Sequence, residues 1–128
     1  NNGVLETPYL VSSTYNSDGQ RASTTSPTPY STALSADTAQ RERRILEQVV
    51  ANGTGTAARI PGVTIAGKTG TAETGKPIDD SWFVGIGPSE NSKVVVAIVL
   101  EQGAANDSEA SGRARTVMET ALQEQGAM

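Results

Sequence analysis

The chain has 128 residues, enough for one domain on a single core, and 10 Lys and Arg against 14 Asp and Glu leave it at −4. Apart from Arg41, Arg43 and Arg44, expected on the solvated face of a helix, the basic residues are scattered, so there is no basic stripe to displace counterions from a nucleic acid. Neither Cys nor His occurs, which excludes a disulfide framework, thiolate chemistry, a Ser-His-Asp triad and a His-ligated metal, and leaves acid–base work to Lys, Tyr, Asp or Glu.

No apolar stretch approaches the ~20 residues of a spanning helix. The opening "NNGVLETPYLV" is not a signal peptide and reads like the middle of a protein. Residues 1–34 are expected to form a hairpin and a loop. The turn of "PYLVSSTYNSDGQRAST" falls at Asn16 to Gly19, and the two prolines of "SPTPYSTA" mark that stretch as loop. A helix follows over 35–52. Ser35 is its N-cap and Asp37 lies in its first turn; Ala39, Ile45, Leu46, Val49 and Val50 keep helical spacing, and Gly53 stops it.

"GTGTAARIPG" is a turn-rich connector. Residues 62–101 then read as a three-strand meander: "VTIAGKTGTAE", "SWFVGIG" after the turn at "TGKPIDD", and "KVVVAIVLE" after a turn at Pro88 to Ser92. The last of these is apolar on both faces and is expected as a central strand covered on both sides. The chain closes with an amphipathic helix over 107–125, its inward face drawn from Ala110, Ala114, Val117, Met118, Ala121 and Leu122. Connections this short imply an antiparallel sheet with helices packed on it.

Residues 62–70, "GVTIAGKTG", satisfy two motifs at once. Gly62, Gly67, Lys68 and Thr69 match the phosphate-loop pattern, whereas the last three letters are a K-T-G box. A phosphate loop needs a glycine-rich turn whose N–H groups converge on phosphate, with a helix starting at the lysine. Here the four intervening residues are Val, Thr, Ile and Ala, and two glycines and a proline follow Lys68 where the helix should run. The nucleotide reading fails on that context. "GTGTAA", residues 53–58, fits a loose dinucleotide fingerprint but follows a helix and opens none. Ser89-Glu90-Asn91 matches S-x-N by chance in a turn, and Asn52-Gly53-Thr54 and Asn106-Asp107-Ser108 are glycosylation sequons by pattern only.

As a strand, the same segment projects Thr69 and Thr71 to one face and Lys68 to the other, while Gly70 leaves room for another backbone. An extended peptide could add alongside it, two hydroxyls could hold a ligand carboxylate, and an ammonium beside them would supply positive potential and a proton path.

"NGVLETPYLV", "LSADTAQRERRILEQVVANGTGTA", "GTGTAARIPGVTIAGKTGTAE" and "SWFVGIGP", in that order, resemble the C-terminal part of penicillin-binding protein transpeptidase domains, nearest the monofunctional high-molecular-mass class. The resemblance covers essentially the whole chain. It implies a β-lactamase/transpeptidase-like fold of mixed α/β type, an antiparallel sheet flanked by helices, with only the C-terminal portion of the domain present. It also implies a serine nucleophile from an S-x-x-K box that attacks D-Ala-D-Ala stem peptides and is acylated by β-lactams. In that family's pattern Lys68 organises proton transfer, Thr69 and Thr71 hold the terminal carboxylate, Gly70 clears the substrate backbone, and the Thr71 backbone N–H is an oxyanion-hole donor. Trp82 and Phe83 are expected to support the cleft wall as packing aromatics.

No S-x-x-K occurs in these residues. The resemblance therefore implies that the nucleophile and the S-x-N box lie upstream in the same protein, together with an N-terminal anchor at the outer face of the bacterial plasma membrane. This chain would not be active alone. No cofactor or metal is implied. A serine β-lactamase or D,D-carboxypeptidase of the same fold, or a non-catalytic penicillin-binding sensor or scaffold, remains open at this point.

Overall fold

A computed structural model describes residues 1–104 and 108–126, in two compact units, Asn1–Arg41 and Glu42–Met128. The first unit is a nested pair of ladders. Strands β1 (Val4–Glu6) and β4 (Pro29–Thr32) pair antiparallel, as do β2 (Ser13–Tyr15) and β3 (Arg21–Thr24). The expected hairpin is β2–β3. Asn16 closes it: its Oδ1 accepts from the amides of Asp18 at 3.2 Å and Gln20 at 2.8 Å, and Gly19 takes the left-handed conformation the turn needs. The stretch expected as loop contains β4 instead. Pro29 is the first residue of a strand with one side unpaired among the described residues, a position where a missing N–H costs little.

Helix α1 (Ala36–Asn52) crosses the boundary between the units. Ser35 caps it as the sequence predicts, its Oγ accepting from the Thr38 amide at 3.1 Å. The arginine trio divides. Arg41 and Arg44 are exposed, but Arg43 is half-buried and donates to the Ser89 carbonyl at 3.1 Å. Its position one turn from Glu47 explains the difference, because Glu47 accepts from the Ser89 hydroxyl and the two charges share that polar knot. Ser89 is thus a buried tie between α1 and a turn of the sheet, which accounts for an S-x-N match with no chemistry attached.

The second unit holds the sheet, in the order β5 (Ala66–Ala72), β6 (Asp80–Gly87), β7 (Val94–Leu100), antiparallel throughout. The first strand begins at Ala66 rather than Val63. Residues 60–63 form a tight turn of their own, with an Ile60–Val63 bridge and Gly62 at a positive φ, which delays entry into the ladder. Helix α2 (Glu109–Glu124) packs across β6 and β7; Asp107, expected at its start, lies outside the described residues, as does most of the second sequon. Its buried face is Ala110, Ser111, Ala114, Met118 and Leu122; Val117 points outward at 48% exposure. The small Ser111 takes the inward position because its hydroxyl is satisfied locally by the Ser108 carbonyl at 3.0 Å.

Among the described residues β7 is not central: β6 is the middle strand. The face of the sheet away from α2 is open, leaving Val84, Val95 and Val99 between 45% and 69% exposed. Alternation in β6 makes the other face the core, where Phe83 and Val96 meet Met118 and Leu122.

Candidate active site

The K-T-G residues occupy the centre of β5, the strand at one end of the sheet, whose outer side is unpaired among the described residues. Register with β6 sets where each side chain goes. Thr69 lies opposite Phe83 and Thr71 opposite Ser81, on the face that carries the core; Lys68 lies opposite Val84 and Gly70 opposite Trp82, on the open face. The division of the two threonines from the lysine expected from the alternation is therefore present. No helix begins at Lys68, and none of the glycine-rich turn of a phosphate loop is formed.

Two glycines, one on β5 and one on β6, let the two strands pair over the Phe83 ring. A Cβ at Gly67 would fall 2.5 Å from the Phe83 ring and 2.9 Å from the Val84 carbonyl; one at Gly85 would fall 2.7 Å from the same ring. The Phe83 ring fills the space where those two side chains would otherwise stand. Gly70 differs: a Cβ there meets only the Trp82 Cβ, at 3.4 Å, so the sheet itself does not demand glycine. Phe83, fully buried, fits the expectation of a packing aromatic. Trp82 does not: it is 42% exposed and stands beside Gly70 on the Lys68 face.

Lys68 and Thr69 are oriented by short contacts. The Lys68 ammonium donates to the Thr69 carbonyl at 2.8 Å, and the Thr69 hydroxyl is 2.6 Å from that of Thr54, in the turn after α1. Thr71 is exposed, with its hydroxyl on the same face as that of Thr69. Thr54 was not legible as a site residue: fifteen positions separate it from Thr69, and nothing in its own stretch points at β5. The arrangement can present two hydroxyls, one ammonium and a free strand edge to an extended ligand that carries a carboxylate. None of the described residues forms a cluster of three or more His, Cys, Asp or Glu able to hold a metal, and no described helix is long and apolar enough to cross a membrane.

Known proteins resemble this chain over almost its whole length. The family model described as "Penicillin binding protein transpeptidase domain" matches residues 1–121. The chain is 36% identical over 134 residues to the peptidoglycan D,D-transpeptidase PbpA of Mycobacterium tuberculosis, covering 96% of this chain and 27% of that protein. Among solved structures, the D,D-transpeptidase domain of a peptidoglycan glycosyltransferase from Eggerthella lenta superposes with a TM-score of 0.87 at 49% identity, over 100% of this chain and 30% of that one. Penicillin-binding protein A of M. tuberculosis, captured as an imipenem acyl-enzyme complex, superposes with a TM-score of 0.80 at 35% identity, over 95% and 28%. The chain thus spans less than a third of the length of each of these proteins.

Proposed function

The chain belongs to the penicillin-binding protein transpeptidase family, and on that footing we propose that it forms the K-T-G wall of a peptidoglycan D,D-transpeptidase active site. The observation that carries this reading is the placement of Lys68, Thr69, Gly70 and Thr71 on one open strand, hydroxyls to one face and ammonium to the other. The serine comes from an S-x-x-K segment upstream in the same protein, accompanied by the S-x-N box. The complete protein works outside the cytoplasmic membrane, held there by an N-terminal anchor.

In this scheme a stem peptide ending in D-Ala-D-Ala lies antiparallel against β5, its backbone passing over Gly70. Thr69 and Thr71 donate hydroxyl hydrogens to its terminal carboxylate. The serine oxygen attacks the penultimate carbonyl, and the negative charge that develops on the carbonyl oxygen is met by the Thr71 backbone N–H and that of the serine itself. Collapse breaks the peptide bond, the departing D-Ala amine takes a proton through the network that includes Lys68, and an acyl-serine remains. The amine of a second stem peptide then attacks the acyl-serine, forms the cross-link and returns the proton to the serine. A β-lactam enters the same sequence, its ring amide taking the place of the scissile bond and its carboxylate that of the terminal D-Ala.

The test is covalent labelling. Fluorescent penicillin should label the full-length protein, and the label should map to the serine of an S-x-x-K upstream of Asn1. A folded full-length protein that takes no label would overturn the reading. Within the same assay, Gly70→Val should slow labelling roughly tenfold, because a branched side chain stands where the ligand backbone must pass. Its unfolding midpoint should hardly move, since position 70 has room for a Cβ. Unimpaired labelling of Gly70→Val would mean that β5 does not face the ligand there.

A further inference from the structure

We propose that Thr54 is a positioning residue that acts through Thr69, aiming the Thr69 hydroxyl at the ligand carboxylate; this rests on the K-T-G assignment above. The two hydroxyl oxygens are 2.6 Å apart, a short distance even for an O–H···O bond. A threonine hydroxyl has one proton to give and two lone pairs to receive with. If Thr69 gives its proton to a carboxylate, its remaining capacity is as an acceptor, and Thr54 is the donor within reach. The pair then forms a relay from the Thr54 O–H to the Thr69 oxygen and from the Thr69 O–H to the carboxylate. Each bond polarises the next, and the rotor of Thr69 is fixed before the ligand arrives.

The turn that carries Thr54 is rigid enough for such a role. The amides of Gly53 and Gly55, on either side of it, both donate to the Val49 carbonyl, at 3.1 and 3.0 Å, so the chain wraps back over the end of α1. Gly55 is buried, and a Cβ there would meet the Val49 carbonyl, the Phe83 ring and Val50 between 3.3 and 3.4 Å. Arg59 secures the same helix end by donating to the Val50 carbonyl at 3.2 Å. Phe83 thus supports both partners: its ring backs the turn at Gly55, and its backbone is the ladder partner of Thr69. Meanwhile the Thr69 carbonyl is engaged by Lys68, so Thr69 is held at its hydroxyl and at its carbonyl.

The experiment compares acylation of the full-length protein by benzylpenicillin and by its methyl ester, which lacks the carboxylate charge. Thr54→Val should slow acylation by the acid about five- to tenfold and by the ester less than about twofold. In a Thr69→Val background the same substitution should have no further effect, since its target is gone. An unchanged acid-to-ester ratio in Thr54→Val, with the ratio lowered in Thr69→Val, would overturn the proposal and leave the K-T-G reading intact. Full additivity of the two substitutions would also overturn it, by giving Thr54 a contact of its own with the ligand. Equal losses for acid and ester, with a lowered unfolding midpoint, would reduce Thr54 to a structural residue. If Thr69→Val itself leaves the ratio unchanged, the K-T-G assignment fails and the proposal falls with it.

Discussion

Lys68→Ala in the full-length protein should slow acylation by penicillin about 10³-fold, within the range that positioned acid–base groups contribute, while shifting stability by less than about 0.5 kcal/mol. The two halves of that expectation have separate physical grounds. Lys68 is exposed, enters none of the ion pairs among the described residues, and makes one hydrogen bond, to the carbonyl of its own neighbour. Its removal opens no cavity and strands no buried partner. In the proposed acylation step, however, the ammonium, held at the Thr69 carbonyl, lies on a strand that a ligand would cover. Covering the site removes water and strengthens every charge–charge interaction within it. Lys68→Arg separates charge from proton transfer. The guanidinium keeps the positive potential but holds its proton too tightly to pass one on, so it should restore ligand affinity without restoring the rate. Acylation of Lys68→Ala within threefold of the parent would remove Lys68 from the mechanism.

Around the same lysine, local sequence carries most of the structural information. Its strand is legible from β-branched alternation and from the glycines and proline that forbid a helix after it, and alternation alone divides Lys68 from Thr69 and Thr71. Helix α1 is legible because a capping serine and a regular apolar spacing agree on its bounds. The features that local pattern misses are set by tertiary partners. Pro29 suggests loop because its missing N–H argues against a ladder, yet it opens a strand with one side unpaired among the described residues, where that N–H is least missed. Hydropathy favours burying Val117, but Val117 lies about 120° round α2 from Ser111, which shares the arc of Met118 and Leu122. The helix instead presents the smaller residue inward, and Val117 is half-exposed. The apolar run of β7 suggests cover on both faces, whereas only the α2 side is covered among the described residues. Thr54 carries no signal at all, because a hydrogen bond between hydroxyls fifteen residues apart follows from how α1 ends and not from any local pattern.

Phe83→Ala should be the most destabilising single substitution of an aromatic residue in the chain, costing about 3–5 kcal/mol. That is a large share of the ~5–15 kcal/mol that holds a typical domain together. In urea the midpoint should fall while the slope is unchanged. Trp82→Ala, one residue away, should cost much less, because Trp82 is 42% exposed on the open face. The pair makes a sharp comparison within one strand: the larger aromatic is the less important one, since alternation sends Phe83 alone into the core. Relaxation cannot close the gap left by the ring. The atoms around it include the backbones of Gly55, Gly67 and Gly85, which have no side chains to swing in. The loss should therefore reach the site as well. Gly67 precedes Lys68, Gly55 follows Thr54, and Phe83 is the register partner of Thr69, so one vacancy loosens both ends of the Thr54–Thr69 contact. Below its unfolding midpoint, folded Phe83→Ala protein should lose acylation by penicillin and its methyl ester alike, with faster amide exchange at Lys68 and Gly70, the alternate residues whose N–H groups point to β6 when that of Thr71 faces the ligand. Normal exchange at those two amides would show that β5 is held by its ladder bonds alone and that the ring beneath it serves only the core.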